Sequence, residues 1–156
     1  MAASPQKPIS ELRDHVIIAG YGVPGRAVAD WYRKQGTPLV IIELNSQIVN
    51  RCSRTGVPII VGDVQDESKL KEAGIERAAV FAIAVPVEAV VLNAIPIARK
   101  LNPNVHIIAR CNFISNGMEA LKRGANETVI EEEIAAREFV RLLENAKNSA
   151  ATPVEK

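Results

Sequence analysis

The stretch Gly20-Tyr21-Gly22-Val23-Pro24-Gly25 constrains this chain more than any other. An apolar run, Val16 to Ala19, precedes it and a helical pattern beginning at Arg26 follows, so the glycines occupy a strand-to-helix turn. Gly20 suits the tight turn out of the strand, Gly22 lets backbone approach a phosphate, and Gly25 lets the helix pack closely on the strand. The helix N-terminus then offers unpaired N–H groups and a positive dipole end to an anion. A second apolar run, Leu39 to Ile42, ends in Glu43, roughly 20 residues beyond the glycines, where a carboxylate meets a ribose diol. Glycines, helix and acid together predict a dinucleotide or mononucleotide site.

One module recurs along the chain: a short β-branched run, a turn, an amphipathic helix and a glycine. Gly36, Gly56, Gly74 and Gly124 each stand just past a helical pattern, as expected of helix C′ positions. The predicted strands are Val16 to Ala19, Leu39 to Ile42, Ile59 to Val61, Val80 to Ala84, His106 to Ala109 and Thr128 to Ile130. Their continuous apolar character suits parallel strands covered on both faces. The predicted helices are Arg26 to Gln35, Gln47 to Arg54, Glu67 to Ala73, Glu88 to Leu101, with a kink at Pro96, Asn116 to Arg123, and about Ile134 to Leu143. Strands alternating with helices make an α/β protein: a Rossmann-like, doubly wound, parallel six-stranded sheet in three α/β/α layers. Right-handed crossovers and the glycine-rich first turn set the order 3-2-1-4-5-6. Residues 14–145 are expected to form one domain between a flexible lead-in, 1–13, and a flexible tail, 146–156.

Ligands of such sheets bind beyond the carboxyl ends of the strands, which sorts the polar residues by position. His15 and His106 fall at the opposite end and are expected to be structural or surface groups. Glu43 is the candidate ribose acid, and its charge favours NAD or an unphosphorylated adenosine over NADP. Asp63, after Gly62, is either a ligand contact or a turn residue bonding its own backbone. Arg110 is either a phosphate ligand or the partner of a helix carboxylate. Arg26, near a positive helix end, is a second phosphate candidate. The acids Glu131, Glu132 and Glu133 start the last helix, where they complement its dipole; a divalent cation or effector site is the alternative. Leu44, Val64 and Ala84, beside the strand exits, join the candidate cofactor-binding set with the glycine turn.

The formal net charge is +1, with both signs mixed, and there are only three Phe, two Tyr and one Trp. Neither a basic footprint nor a base-stacking surface is present, which argues against nucleic acid as a partner. Cys52 and Cys111 have no metal-ligand spacing and read as reduced thiols. No apolar run approaches the roughly 20 residues that span a bilayer, and a cytoplasmic chain is expected.

With these positions placed, the chain resembles the nucleotide-binding N-terminal lobe of RCK domains, also called TrkA-N or KTN domains. The matching segments are Val16 to Gly25, Gly62-Asp63 with Leu70 to Ala79, Ala98 to Pro103, Ile107 to Arg110 and Arg123 to Asn126. The part from Glu131 to Leu143 looks most like the cytosolic domains of Kef-type potassium/proton antiporters. The resemblance implies a homodimeric regulatory module, at the inner face of the cell membrane, that binds AMP, ADP, ATP or NAD(H). It would signal to a membrane potassium transporter, attached in cis or in trans: an antiporter, a channel or a Trk-type system. By motif, Gly20, Gly22 and Gly25 would form the phosphate turn, Glu43 the ribose contact, Asp63 part of the adenine pocket, and Arg110 a group beside the phosphates. The chain departs from many relatives in having Val23-Pro24 where they carry an arginine. No second ligand-binding lobe follows Leu143 and there is no membrane segment, as in a truncated piece or a stand-alone subunit. The competing reading is a nucleotide-binding fragment of an NAD-dependent oxidoreductase, since the same fold carries hydride transfer. Against it, neither Tyr21 nor Tyr32 has a lysine four residues on, and no substrate domain follows.

Overall fold

The computed structural model describes residues 6–151. Six parallel strands alternate with helices: β1 (Val16–Ala19), α1 (Val23–Lys34), β2 (Leu39–Glu43), α2 (Ser46–Cys52), β3 (Ile59–Val61), α3 (Glu67–Glu72), β4 (Val80–Ile83), α4 (Glu88–Leu101), β5 (His106–Cys111), α5 (Ile114–Arg123), β6 (Glu127–Ile130) and α6 (Glu131–Ala151). The strand order is β3-β2-β1-β4-β5-β6, the doubly wound order expected from the sequence. β1 pairs with β2 from Val16 opposite Leu39 and with β4 from Val16 opposite Val80, so the three carboxyl ends are level.

Helices cover both faces, and so the central strands carry apolar side chains on both. One core holds Ile17, Val40, Phe81, Ile95 and Ile107; the other holds Val16, Ile18, Tyr21, Leu39 and Ile41. Alternate residues of a strand thus serve opposite layers. No helix among the described residues is long and apolar enough to cross a membrane.

Polar clamps close the connections. Arg99 on α4 donates to the carbonyls of Gly124, Pro103 and Val105 and to Asn126 Oδ1, at 2.7–3.1 Å. Asn126 Oδ1 also accepts from Ile107 N at 2.8 Å. The buried Asn102 donates to the carbonyls of Ile75 and Ala78. The Ala98–Pro103 and Arg123–Asn126 segments that carry much of the family resemblance therefore serve the scaffold.

Several boundaries differ from the sequence reading. α1 begins at Val23, not Arg26, because proline is tolerated in a helix's first turn, where its missing N–H would be unpaired anyway. Residues 6–12, read as a flexible lead-in, are tied down. Gln6 exchanges two hydrogen bonds with the Leu39 backbone, Leu12 is buried, and Arg77 donates to the carbonyls of Leu12 and Ile9. α6 runs past Leu143 to Ala151, since nothing between them breaks a helix. The remaining residues of the expected lead-in and tail, 1–5 and 152–156, lie outside the described residues.

α4 continues through Pro96. A proline there leaves the carbonyl four residues earlier, that of Leu92, without its helical donor. Arg123 of α5 donates to that carbonyl at 3.1 Å, so the neighbouring helix supplies the missing bond. Arg123→Met should cost about 1 kcal/mol of stability. In a Pro96→Ala background it should cost less, because the alanine N–H takes the Leu92 carbonyl. Urea denaturation of the four proteins in this double-mutant cycle measures the difference.

His15, fully buried just before β1, is structural. Nε2 donates to the Ala73 carbonyl at 2.8 Å, while Nδ1 has no partner among the described residues. Burial lowers its pKa below the ordinary 6.5, against the raising effect of the Ala73 bond. Below pH 6.5 the unfolded chain therefore binds a proton that the folded chain refuses. Thermal midpoints should fall as pH drops from 7.5 to 5.5, and His15→Gln should flatten that slope.

Candidate nucleotide-binding site

The glycine turn lies at the carboxyl end of β1, where the strand order reverses between β1 and β4. Gly20 has φ +89°, a conformation side chains disfavour, and a Cβ there would press on the Ala84 and Val85 backbone just past the end of β4. Gly25 is demanded by packing: its Cβ would stand 1.9 Å from the Gly20 carbonyl oxygen. Only glycine lets α1 come this close to β1. A Cβ on Gly22 would meet nothing within 4 Å, so that backbone faces open space where a phosphate can approach. Val23 and Pro24 are exposed beside it, as is Arg26 in the first turn of α1. No acid occupies that first turn, so the positive helix end is not neutralised from within.

Glu43 ends β2 and is 8% exposed, yet its carboxylate is well bonded. Oε2 accepts from Tyr21 N at 2.7 Å and Oε1 from Asn45 N at 2.8 Å. A carboxylate has about four lone-pair sites, so each oxygen keeps acceptor capacity for a diol. Glu43 thus ties the glycine turn to the β2–α2 connection while remaining at the crevice. The Tyr21 ring points away from this crevice into the core around Ile18 and Cys52, so only its backbone belongs to the turn. Leu44 is 66% exposed on the rim.

Gly62 N donates to the Glu43 carbonyl, and Asp63 follows at the exit of β3. Asp63 Oδ1 accepts from Gln65 N at 2.9 Å, and the Gln65 side chain returns to the same carboxylate. Gln65 in turn accepts from Asn93 on α4. The turn-residue reading of Asp63 is the one this geometry contains. Val64 and Ala84 are buried walls.

Arg110, on β5, reaches across the exit of β4: Nη1 donates to the Ala84 carbonyl at 3.2 Å, while Nε and Nη2 converge on Glu131 Oε1. Of its two sequence readings, the ion pair with a helix carboxylate is realised. Glu132 Oε1 accepts from Ile114 N at 2.7 Å and so caps α5, whose own N-cap, Phe113, provides no side-chain bond. Two members of the acidic cluster thus have structural partners. Sequence reasoning missed Glu88, whose Oε2 accepts from Asn112 N beside the β5 exit. An acid in a helix's first turn was its only signal.

The remaining titratable groups do not converge here. Burial pushes the Cys111 thiol up to about 11, with Glu88 adding to it, and burial also raises Cys52, so both thiols stay protonated. His106 pairs with Glu127 at the far end of the sheet. A recess of about 910 Å3 lined by Arg33, Pro38, Thr55 and Val57 also lies at that far end, away from the glycine turn.

The TrkA-N domain model matches residues 16–131, from the first strand to the first residue of α6. The chain belongs to the TrkA-N domain family. Over 139 residues it is 31% identical to potassium channel protein 1 of Methanocaldococcus jannaschii, covering 88% of this chain and 42% of that one. The crystal structure of the TrkA-N domain of the Escherichia coli inner membrane protein YbaL superposes with a TM-score of 0.81 at 28% identity, over 85% of this chain and 98% of that domain. The Kef C-terminal domain of Shewanella denitrificans, in its AMP-bound form, matches at 26% identity with a TM-score of 0.74, over 88% of this chain and 82% of that one. The TrkA-N chain described here thus spans less than half the length of the channel protein it matches.

Within the TrkA-N turn, Gly25→Ala should destabilise the fold by roughly 1–3 kcal/mol, because helix and strand must separate. Gly22→Ala, with open space around it, should leave the thermal midpoint within about a degree or two, with ΔΔG below about 0.5 kcal/mol. Equal losses in the two variants would contradict the packing role of Gly25.

Proposed function

We propose that this TrkA-N domain is a regulatory module that binds an adenine nucleotide, AMP or ADP or ATP, or NAD(H), and transmits its occupancy to a potassium transporter. One observation carries the reading. An open, uncharged glycine turn at a helix N-terminus stands across from a buried carboxylate that retains acceptor capacity. A phosphate takes the first and a ribose diol the second. The AMP-bound Kef domain gives the same fold a ligand of this chemistry. The potassium channel and the protein YbaL, described as a putative cation/proton antiporter, support a potassium-transport role at the cytoplasmic face of a membrane. Gly20, Gly22 and Gly25 form the phosphate turn, Val23 and Pro24 its rim, and Glu43 the ribose acceptor, with Leu44, Gly62, Asp63, Val64 and Ala84 around the adenosine.

The module acts as a homodimer. α6 has no buried residue over its 21 positions and exposes Ile134, Phe139, Val140, Leu142 and Leu143. It does not pack on its own sheet, which removes one of the two roles open to those apolar residues. Ile114, Met118 and Leu121 of α5 recur at i, i+4 and i+7 and are also exposed. A second copy covers these faces, and the ligand biases the arrangement of the pair by binding one arrangement more tightly. The role is regulation, a reading that the potassium channel and antiporter relatives support over catalysis.

The test is the native mass of freshly purified protein with mass spectrometry of any small molecule released on denaturation. We expect a dimer and an adenine nucleotide. Failure of AMP, ADP and NADH alike to bind in calorimetry would overturn the reading, and turnover of NADH with carbonyl substrates would make it an enzyme. Glu43→Arg should abolish binding of unphosphorylated ligands or redirect the site to 2′-phosphorylated ones.

A further inference from the structure

The contacts of Arg110 join the crevice to the base of α6. On one side its guanidinium donates to the Ala84 carbonyl, which is itself within 3.3 Å of where a Gly20 Cβ would lie. On the other it holds Glu131, the first residue of α6. Beyond that residue α6 has no buried side chain, and two further bonds fix its start: Glu132 N to the Asn112 carbonyl, and Ile114 N to Glu132 Oε1. All three contacts go to residues 110–114, from the end of β5 to the first residue of α5. A helix about 31 Å long thus continues directly from β6 and is tied at its first two residues by polar contacts.

We propose that Arg110 is a latch for which a ligand phosphate and Glu131 compete, so that filling the crevice frees the first turn of α6. This rests on the nucleotide reading above and names how that site would reach the dimer helix. Three features make the exchange close to balanced. Arg110 and Glu131 side chains are 22% and 42% exposed, so the pair is only partly desolvated. Both donors converge on a single carboxylate oxygen, leaving the two-oxygen, fork-to-fork geometry that a phosphate can offer unused. Glu131, once released, still lies at the positive end of its own helix and regains water. A phosphate can therefore displace it without leaving a buried charge behind. By reciprocity, whatever holds Glu131 on Arg110 weakens phosphate binding by the same factor.

Calorimetry with ADP and with adenosine, on the wild type, Glu131→Gln, Arg110→Gln and Glu133→Gln, tests the latch. Glu133→Gln removes the same charge two residues on. Glu131→Gln should bind ADP about tenfold more tightly than the wild type, while adenosine affinity is unchanged. Arg110→Gln should lose ADP affinity and keep adenosine affinity, and Glu133→Gln should behave as the wild type. Hydrogen exchange should show ADP, and not adenosine, raising exchange in residues 131–135. ADP affinity equal in Glu131→Gln and Glu133→Gln would overturn the latch and leave the nucleotide reading standing. Absence of binding by both ligands to every protein, the wild type included, would overturn the nucleotide reading itself.

Discussion

Among the glycines, the one with least room for a side chain is Gly25, where α1 meets the end of β1 and a Cβ would stand 1.9 Å from the Gly20 carbonyl oxygen. Everything at the crevice depends on it. It brings the N-terminus of α1 over the sheet, turns the Gly22 backbone toward open space, and places Tyr21 N where Glu43 can accept from it at 2.7 Å. The buried carboxylate then has a structural task beside the recognition task proposed for it. Its two N–H partners give both carboxylate oxygens a hydrogen bond in a nearly solvent-free position.

A second constraint is the division of labour among charged side chains. Arg99, Arg77 and Arg123 all donate to backbone carbonyls of connections or of a broken helical turn, and Arg123 compensates directly for Pro96. Each works because a guanidinium carries several donors in a fixed fork and covers separated acceptors together. Arg110 differs: it stands at the crevice and holds a carboxylate on an otherwise unburied helix. That contrast separates the scaffold arginines from Arg110, for which the latch is proposed.

Periodicity made the elements legible, and the glycine turn with Glu43 marked where a crevice would lie, because both follow from residue types at fixed positions relative to a strand's end. Arg110 and Asp63 were left with two readings each, and the structure contains the bland member of both: an ion pair with Glu131 and a turn closed by Gln65. Those outcomes depend on which side chain stands opposite across the fold. Tyr21 was grouped with the ligand contacts by its place between two glycines, but backbone direction at Gly20 sends its ring into the core. The ordering of residues 6–12 was hidden for the same reason, since Gln6 finds Leu39 and Ile9 finds Arg77 only after the sheet forms.

The sequence by itself determined the alternation of strands and helices, the parallel doubly wound order and the address of the glycine turn, since these follow from hydrophobic period, crossover handedness and backbone freedom. Only the tertiary structure decided that α6 stands clear of its own sheet, that Glu132 caps a different helix, and that Glu131 and the crevice share one guanidinium. Such pairings join groups about 20 residues or more apart through space. No local pattern encodes them, because each is selected by geometry that exists only once the layers have packed.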